Sequence, residues 1–208
     1  MTAILHVGRP ACRPLSLGQT MRLFPFALAL LASTASPALA EPVGERLAPC
    51  LGCHGESGRS ETPGVPSLGG QPADYLVTQL YQFRESQRVA PPMNEMAAGL
   101  SDDDLRSFAE ELSRLPAPSP GETALDSTLA ERARALVGRH QCNSCHGADL
   151  AGRDAIPRIR GQREDYLLKA LAGYKSNARP GYDPAMNEVA QGLSEADIEV
   201  LAAFLSRS

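Results

Sequence analysis

The sequence predicts an all-α protein built from two copies of one small helical module. Two observations carry this prediction. The five-residue text Cys-x-x-Cys-His occurs twice, at 50–54 and at 142–146, and each copy is followed by the same order of landmarks. In addition, apolar residues recur at helical spacing, and no alternating segment of useful length indicates a β-strand. The chain is therefore expected to contain two tandem domains of the same fold.

Matched positions define this repeat. The cysteines and histidines of the two copies differ by 92 positions, three further pairs by 91, and two later pairs by 93. Offsets this steady indicate an internal duplication. The matched pairs are Cys50 and Cys142, His54 and His146, Pro66 and Pro157, Gln71 and Gln162, Tyr75 and Tyr166, Met93 and Met186, and Leu100 and Leu193.

A proline-rich segment and an apolar N-terminal leader divide the chain into a leader and two domains. Residues 116–123 contain Pro116, Pro118 and Pro120, which predict a stiff, extended linker between domains at 41–115 and 124–208. Residues 1–40 instead fit a leader with an apolar stretch before Ala-Leu-Ala, the form of a secretory cleavage site. We expect initiation at Met21 rather than at Met1, and cleavage after Ala40.

Three helical segments are predicted in each copy. A short segment leads into the cysteines, at 43–48 and at 128–139, and an amphipathic helix follows a loop rich in glycine and proline. Pro72 marks the start of that middle helix in the first copy. The last helix follows Ser101 in one copy and Ser194 in the other, because an N-cap serine there precedes early acidic residues.

Each Cys-x-x-Cys-His motif is typical of covalent haem c attachment. Cys50 and Cys53 would lie on one helical turn, where both thiols can add to the vinyl groups of one porphyrin, and His54 would follow as the axial iron ligand. The second copy consists of Cys142, Cys145 and His146. The sequence thus predicts two covalently bound haem c groups, which would also complete the core of each small domain.

Other uses of a Cys-x-x-Cys pair are half of a zinc site, a redox-active dithiol and a disulfide. A zinc site would require the four cysteines to converge, whereas each pair has its own histidine and its own downstream pattern. A redox dithiol is typical of a strand–helix unit, and no strand pattern surrounds either motif. Both copies therefore favour haem attachment.

Met93 and Met186 are the candidate second axial ligands. They lie 39 and 40 residues after the motif histidines, in the matching texts Pro-Met-Asn-Glu and Ala-Met-Asn-Glu, which we expect to form polar loops rather than apolar helix faces. A thioether is a soft ligand that favours ferrous iron. The alternative is that these side chains fill gaps in the core, as most methionines do; we assign Met96 to that role.

Pro66 and Pro157 follow the motif histidines by 12 and 11 residues. A proline carbonyl at that distance along the chain could accept the histidine Nδ1–H and fix the orientation and basicity of the ring. The alternative is an ordinary loop proline.

These residues resemble class I cytochromes c, and in particular the two-domain dihaem cytochromes c4. The resemblance covers nearly all of the chain after the leader. It rests on both Cys-x-x-Cys-His motifs, on the Gly-Gly-Gln and Arg-Gly-Gln texts before the middle helix, and on the methionine seven residues before each Leu-Ser helix start. It implies two helical haem domains with His/Met ligation of both irons. It also implies periplasmic electron transfer from a quinol-oxidising complex toward a terminal oxidase.

Three functions compete on this pattern. The first is a free dihaem electron carrier without catalysis of its own. The second is the electron-accepting subunit of a dehydrogenase, since the cytochrome subunit of flavocytochrome c sulfide dehydrogenase is similar at this level. The third, a dihaem peroxidase or gas sensor, needs an open iron site, which the duplicated methionines argue against. Redox proteins are the expected partners, together with docking on a membrane surface; the net charge of -4 disfavours nucleic acid.

Overall fold

The computed structural model describes residues 42–121, 123–179 and 184–208, and within these ranges the chain forms ten α-helices and no named strand. The predicted leader, with its start at Met21 and its cleavage after Ala40, lies outside the described residues. The helices form two groups of five in the same order, which we call the first and second modules. The first module contains α1 (Val43–Arg46), α2 (Ala48–His54), α3 (Ala73–Arg84), α4 (Met93–Ala97) and α5 (Asp102–Arg114). The second contains α6 (Ser127–Arg139), α7 (Cys142–His146), α8 (Glu164–Lys175), α9 (Ala185–Gln191) and α10 (Glu195–Leu205).

The two modules differ most at their N-terminal ends. Helix α6 has 13 residues, whereas α1 has only four and is followed directly by α2, which carries the cysteines. The predicted segment 43–48 therefore contains α1 and only the first residue of α2, with Leu47 between the two helices. This side chain is 3% exposed and belongs to the hydrophobic core of the first module.

The middle and last helices begin where the sequence predicts. Pro72 is the N-cap of α3, and Ser101 and Ser194 are the N-caps of α5 and α10. Each serine hydroxyl accepts the N–H of the third helical residue, Asp104 or Asp197, whose carboxylate accepts the serine N–H in return. These closed capping boxes satisfy two backbone donors at each helix start.

Helix packing stays inside each module among the helices that the structure describes. Helix α3 packs on α5 and α4 in the first module, while α10 packs on α6 and α8 in the second. Each module has its own buried cluster, with Phe108 and Leu112 at the centre of one and Leu136 and Leu201 at the centre of the other. Burying one such side chain contributes about 1.5–3 kcal/mol. The domain limits at 41–115 and 124–208 stay a prediction.

An ion pair ties the ends of each module together. Asp104 of the first capping box lies 2.6 Å from Arg46 on α1, and Asp197 of the second lies 2.8 Å from Arg132 on α6. The capping carboxylate therefore has two functions, because it closes the helix start and holds the N-terminal helix against the last one.

The proline-rich segment 116–121 forms no helix and lies closely against both modules. Pro118 is buried, and Gly161 leaves room for it: a Cβ on Gly161 would lie 2.7 Å from the Pro118 carbonyl oxygen. A Cβ on Gly69 of the first module would collide with the carbonyl oxygen of Pro116. The linker is thus seated in contact with glycines of both modules.

The loop placement of the two methionines is wrong. Met93 is the first residue of α4, and Met186 is the second residue of α9. Pro92 and Pro184 are the N-caps of these helices, and each helix buries one alanine, Ala97 in α4 and Ala190 in α9. That burial favours a helix where the polar residues suggested a loop.

No helix within the described ranges is long and apolar enough to cross a membrane.

Candidate haem sites

The first cysteine motif forms α2 and ends in a buried histidine. Cys53 is exposed, Cys50 is half-buried and His54 is only 5% exposed. The two cysteines are three positions apart, so both side chains lie near one face of the helix. Burial raises the pKa of the Cys50 thiol. The helix stops at Gly55, whose φ of 86° favours glycine and where a Cβ would collide with the Arg59 carbonyl.

The second motif repeats this arrangement in α7. His146 is again 5% exposed, and Cys145 is exposed while Cys142 is half-buried. Gly147 ends the helix with a φ of 87°. Two short helices with the same burial pattern therefore present two thiols toward the surface side and one imidazole toward the interior of each module.

Each motif histidine is held by one backbone carbonyl. His54 Nδ1 donates to the Pro66 carbonyl at 2.8 Å, and His146 Nδ1 donates to the Pro157 carbonyl at 2.8 Å. A carbonyl oxygen only accepts, so the proton lies on Nδ1 and the lone pair of Nε2 is available to a metal. Burial lowers the pKa of both histidines, partly offset by these hydrogen bonds, which favours the neutral ring that ligation requires.

An asparagine anchors the first methionine helix. Asn94 follows Met93 and donates from Nδ2 to the carbonyls of Phe83, at 2.9 Å, and Arg88, at 2.8 Å. Its Oδ1 accepts the Ala90 N–H at 2.7 Å. The asparagine thereby joins the end of α3 to the start of α4 and restrains the half-buried Met93.

The second module contains the same anchor. Asn187 follows Met186, and its Nδ2 donates to the carbonyls of Tyr174 and Arg179 at 3.0 and 3.1 Å. The carbonyl acceptors in the two modules are again 91 positions apart. Sequence reasoning noted the Met-Asn text without giving the asparagine a function; the available signal was the repetition of a polar residue beside each candidate ligand.

The arrangement of the cysteines does not suit zinc. In the part of the chain that the structure describes, no three His, Cys, Asp or Glu side chains come together in a group that could hold a metal ion. The four motif cysteines therefore do not meet, and each pair stays with its own histidine.

Two buried guanidinium nitrogens fit the haem chemistry instead. The Nε atoms of Arg158 and Arg160 are buried without a hydrogen-bond partner, and Arg158 follows Pro157, the acceptor of His146. Burial lowers the pKa of Arg158, with the neighbouring Arg160 adding to the effect. Buried cationic donors call for an anion, and the propionate carboxylates of a haem are anions of suitable chemistry. With the histidine tautomer and the thiol pairs, the donor set fits haem c.

Tyrosines and arginines meet where the modules join. Arg179 Nη2 lies 3.5 Å from Tyr75 Oη, and its guanidinium carbon lies 5.6 Å from the ring centre of Tyr166. Burial raises the pKa of Tyr75. Burial acts in the same direction on Tyr166, but the Arg179 and Arg88 cations outweigh it and lower the pKa of Tyr166 to about 8. These side chains thus form a charged contact between the modules.

The known proteins to which this chain is similar are cytochromes and electron acceptors. A family model described as cytochrome c matches residues 130–208. Cytochrome c4 of Thiocapsa roseopersicina is 33% identical over 82% of this chain and 94% of its own length. A thiosulfate dehydrogenase electron acceptor of Thiomonas intermedia is 33% identical and aligns over 84% of this chain and 84% of its own. The crystal structure of reduced cytochrome c4 from Pseudomonas stutzeri superposes with a TM-score of 0.72, at 29% identity, over 81% of this chain and 98% of that one.

Proposed function

This chain belongs to the cytochrome c4 family. We propose that it is a periplasmic electron carrier that binds one haem at the cysteine motif of each module. It is an all-α electron-transfer cytochrome with covalently attached haem c. Beyond this family membership, we assign the haem-binding residues, the periplasmic compartment and the redox partners. The single observation that carries it is the duplication of one ligand set, held in both modules by the same backbone contacts.

The residue assignment follows the two modules. In the first, Cys50 and Cys53 form the thioether bonds, His54 is the proximal ligand and Met93 the distal one. In the second, these functions belong to Cys142, Cys145, His146 and Met186. When bound, haem supplies an iron centre that changes oxidation state by one electron.

The protein residues supply position and closure. The carbonyls of Pro66 and Pro157 fix the histidine rings through the 2.8 Å hydrogen bonds. Asn94 and Asn187 restrain the helices that carry the methionines. Ligands held this firmly on both sides leave no position for a substrate, so the chain passes electrons rather than catalysing a reaction.

Export and domain limits belong to the same proposal. Residues 1–40 act as a cleaved signal peptide, and residues 41–115 and 124–208 each hold one haem in the periplasm. A quinol-oxidising complex is the proposed donor and a terminal oxidase the proposed acceptor, with docking at the membrane surface where both partners lie.

A second function is favoured by one relative. The similarity to a thiosulfate dehydrogenase electron acceptor supports a partner that is a dehydrogenase rather than a quinol-oxidising complex. Flavocytochrome c sulfide dehydrogenase is a further enzyme of this kind. In either case this chain would receive electrons and the partner would do the chemistry.

A reduction assay separates the two donors. The mature holoprotein is mixed with membranes that contain the quinol-oxidising complex, and its ferrous α-band is followed with quinol or with thiosulfate plus a purified dehydrogenase. Rapid reduction by quinol, blocked by an inhibitor of that complex, supports the first donor. Reduction only in the presence of the dehydrogenase would replace it with the second.

A further inference from the structure

Two glutamines join the modules through reciprocal contacts. Gln71 Nε2 donates to the Arg158 carbonyl at 2.9 Å, and its Oε1 accepts the Arg158 N–H at 3.0 Å. Gln162 Nε2 donates to the Ser67 carbonyl at 2.9 Å, and its Oε1 accepts the Ser67 N–H at 2.8 Å. Each acceptor residue lies four positions before the glutamine of its own module. The contact is therefore self-complementary, as in a twofold interface.

These contacts are buried. Gln71 and Gln162 are each 4% exposed, and Ser67 is 2% exposed. An unpaired amide in such a place would be destabilising, so the geometry of both glutamines is strongly fixed. Each glutamine side chain forms hydrogen bonds with both the N–H and the carbonyl of a single residue of the opposite module.

Ser67 and Arg158, which bind the glutamines, directly follow the prolines whose carbonyls accept from the motif histidines. Ser67 follows Pro66, so the Ser67 N–H and the Pro66 carbonyl belong to one peptide group. That group accepts from His54 on its oxygen and donates to Gln162 from its nitrogen. The peptide between Pro157 and Arg158 links His146 to Gln71 in the same way. One peptide group therefore separates each histidine from the other module.

We propose that Gln71 and Gln162 are positioning residues that lower the reduction potential of the haem in the opposite module. Each acts through the peptide group that accepts the Nδ1–H of that module's proximal histidine. The inference deepens the proposed function, because it rests on His54 and His146 as iron ligands. It makes the potential of each haem depend on a correctly closed contact between the modules.

The direction of the effect follows from hydrogen-bond polarisation. A hydrogen bond to the N–H of a peptide makes its carbonyl a stronger acceptor. A stronger acceptor draws the Nδ1 proton away and makes the imidazole a more basic ligand. A more basic ligand stabilises ferric iron, so removal of the glutamine contact raises the potential of the haem concerned.

The test measures both potentials in the holoprotein by redox titration followed by proton NMR of the ferric haem methyl groups. Met93→His and Met186→His each displace one set of signals and so assign the two haems. In Gln162→Leu, we expect the ferrous-to-ferric ratio of the first-module haem to rise about threefold at a fixed potential, which is ~30 mV at 59 mV per tenfold change. The second-module haem should stay within error. Gln71→Leu should give the mirror result.

A matched control separates this effect from loosening of the contact. Arg163 Nη1 donates to the Ser60 carbonyl across the modules at 3.1 Å, and its Nε and Nη2 donate to Asp165 of its own module, so none of these hydrogen bonds involves a histidine-bound peptide. Arg163→Met removes that contact together with a cation, a change that favours ferric iron and lowers the potential. A rise equal to that of Gln162→Leu would attribute the shift to loosening and overturn the proposal.

Other outcomes are equally decisive. If Gln162→Leu does not fold, Gln162→Asn is used, since its shorter side chain breaks the reach to Ser67 while keeping an amide; the same rise is expected. Unchanged potentials, or a larger shift of the haem in the mutated module, would overturn the inference while leaving the haem ligands intact. A wild-type protein that lacks two His/Met haem spectra would instead contradict the proposed function.

Discussion

Asn94 donates a 2.9 Å hydrogen bond to the carbonyl of Phe83, and so fastens the residue next to Met93 to the end of the preceding helix. The Arg88 carbonyl and the Ala90 N–H complete the contact at 2.8 and 2.7 Å. A single side chain therefore satisfies three backbone groups of the turn before the candidate ligand. This contact holds the start of α4, where Met93 lies.

Loss of this anchor should weaken the sixth ligand of the first haem. Asn94→Leu removes three hydrogen bonds, each worth about 1 kcal/mol, and leaves backbone groups of the turn without their partner. We expect the reduced variant to bind carbon monoxide at one haem, whereas the wild type should show no Soret shift even at a tenfold higher concentration of the gas. The Soret band during carbon monoxide titration measures this. The exposed neighbour Glu95→Gln is the control and should bind no gas; binding there, or none in Asn94→Leu, would contradict the role given to the asparagine.

The capping carboxylate of the last helix should make stability depend on pH. The Ser194 hydroxyl, with Arg132 next in effect, lowers the pKa of Asp197 from 3.8 to about 2. A carboxyl whose pKa is lower in the folded state stabilises the fold above the unfolded pKa, and that contribution is lost as the pH falls from about 4 toward 2. Asp197→Asn should therefore unfold at lower denaturant concentration at pH 6, with a shallower decline between pH 4 and pH 2.

Urea titrations across this pH range provide the measurement. Asp103→Asn is the matched control, because the Asp103 side chain is 92% exposed and pairs with the exposed Arg106. Such surface pairs contribute little. Equal effects of the two substitutions would show that the capping box and its ion pair are not the source of the pH dependence.

Each cysteine pair should attach one haem independently. Replacement of both Cys50 and Cys53 by alanine removes the two thiols of the first module and leaves Cys142 and Cys145 in place. We expect half of the wild-type covalent haem per chain, measured on the denatured protein by absorbance and intact mass. The reciprocal replacement in the second module should give the same value. Retention of two haems, or loss of both in either variant, would contradict the assignment of one pair to each haem.

The packing of the linker against the first module should be sensitive to an added side chain at Gly69. A Cβ on Gly69 would collide with the Pro116 carbonyl, which backbone atoms cannot easily relieve. Gly69→Ala should destabilise the protein by about 1–3 kcal/mol. Gly99→Ala is the control, since a Cβ added to Gly99 would meet nothing within 4 Å. Equal melting temperatures for both variants would show that the segment is a free spacer rather than a seated one.

Local features of the sequence were sufficient for much of the fold. Ser101 and Ser194 mark helix starts because capping depends on neighbours within three residues, and both capping boxes are present in the structure. Pro72 marks the start of α3 for a similarly local reason. The actual positions of Met93 and Met186, at the starts of short helices, depend on the burial of Ala97 and Ala190, which local polarity does not reveal.

Contacts between residues far apart in the chain could not be predicted from the sequence. Gln71 and Gln162 were visible only as matched text, since their partners lie 87 and 95 positions away. The Asn94 contacts to α3 and the unpaired Nε atoms of Arg158 and Arg160 likewise exist only once the chain is folded. The repeat indicated which positions matter, and tertiary packing decided what they do.

The most direct test of the central claim is carbon monoxide binding to the fully reduced wild-type holoprotein. In an electron carrier of this kind, His54 with Met93 and His146 with Met186 would occupy the axial positions of the two irons. We therefore expect no shift of the Soret band under carbon monoxide. A shift that corresponds to one haem or to both would show an open iron site, and would contradict an electron carrier closed by two methionines.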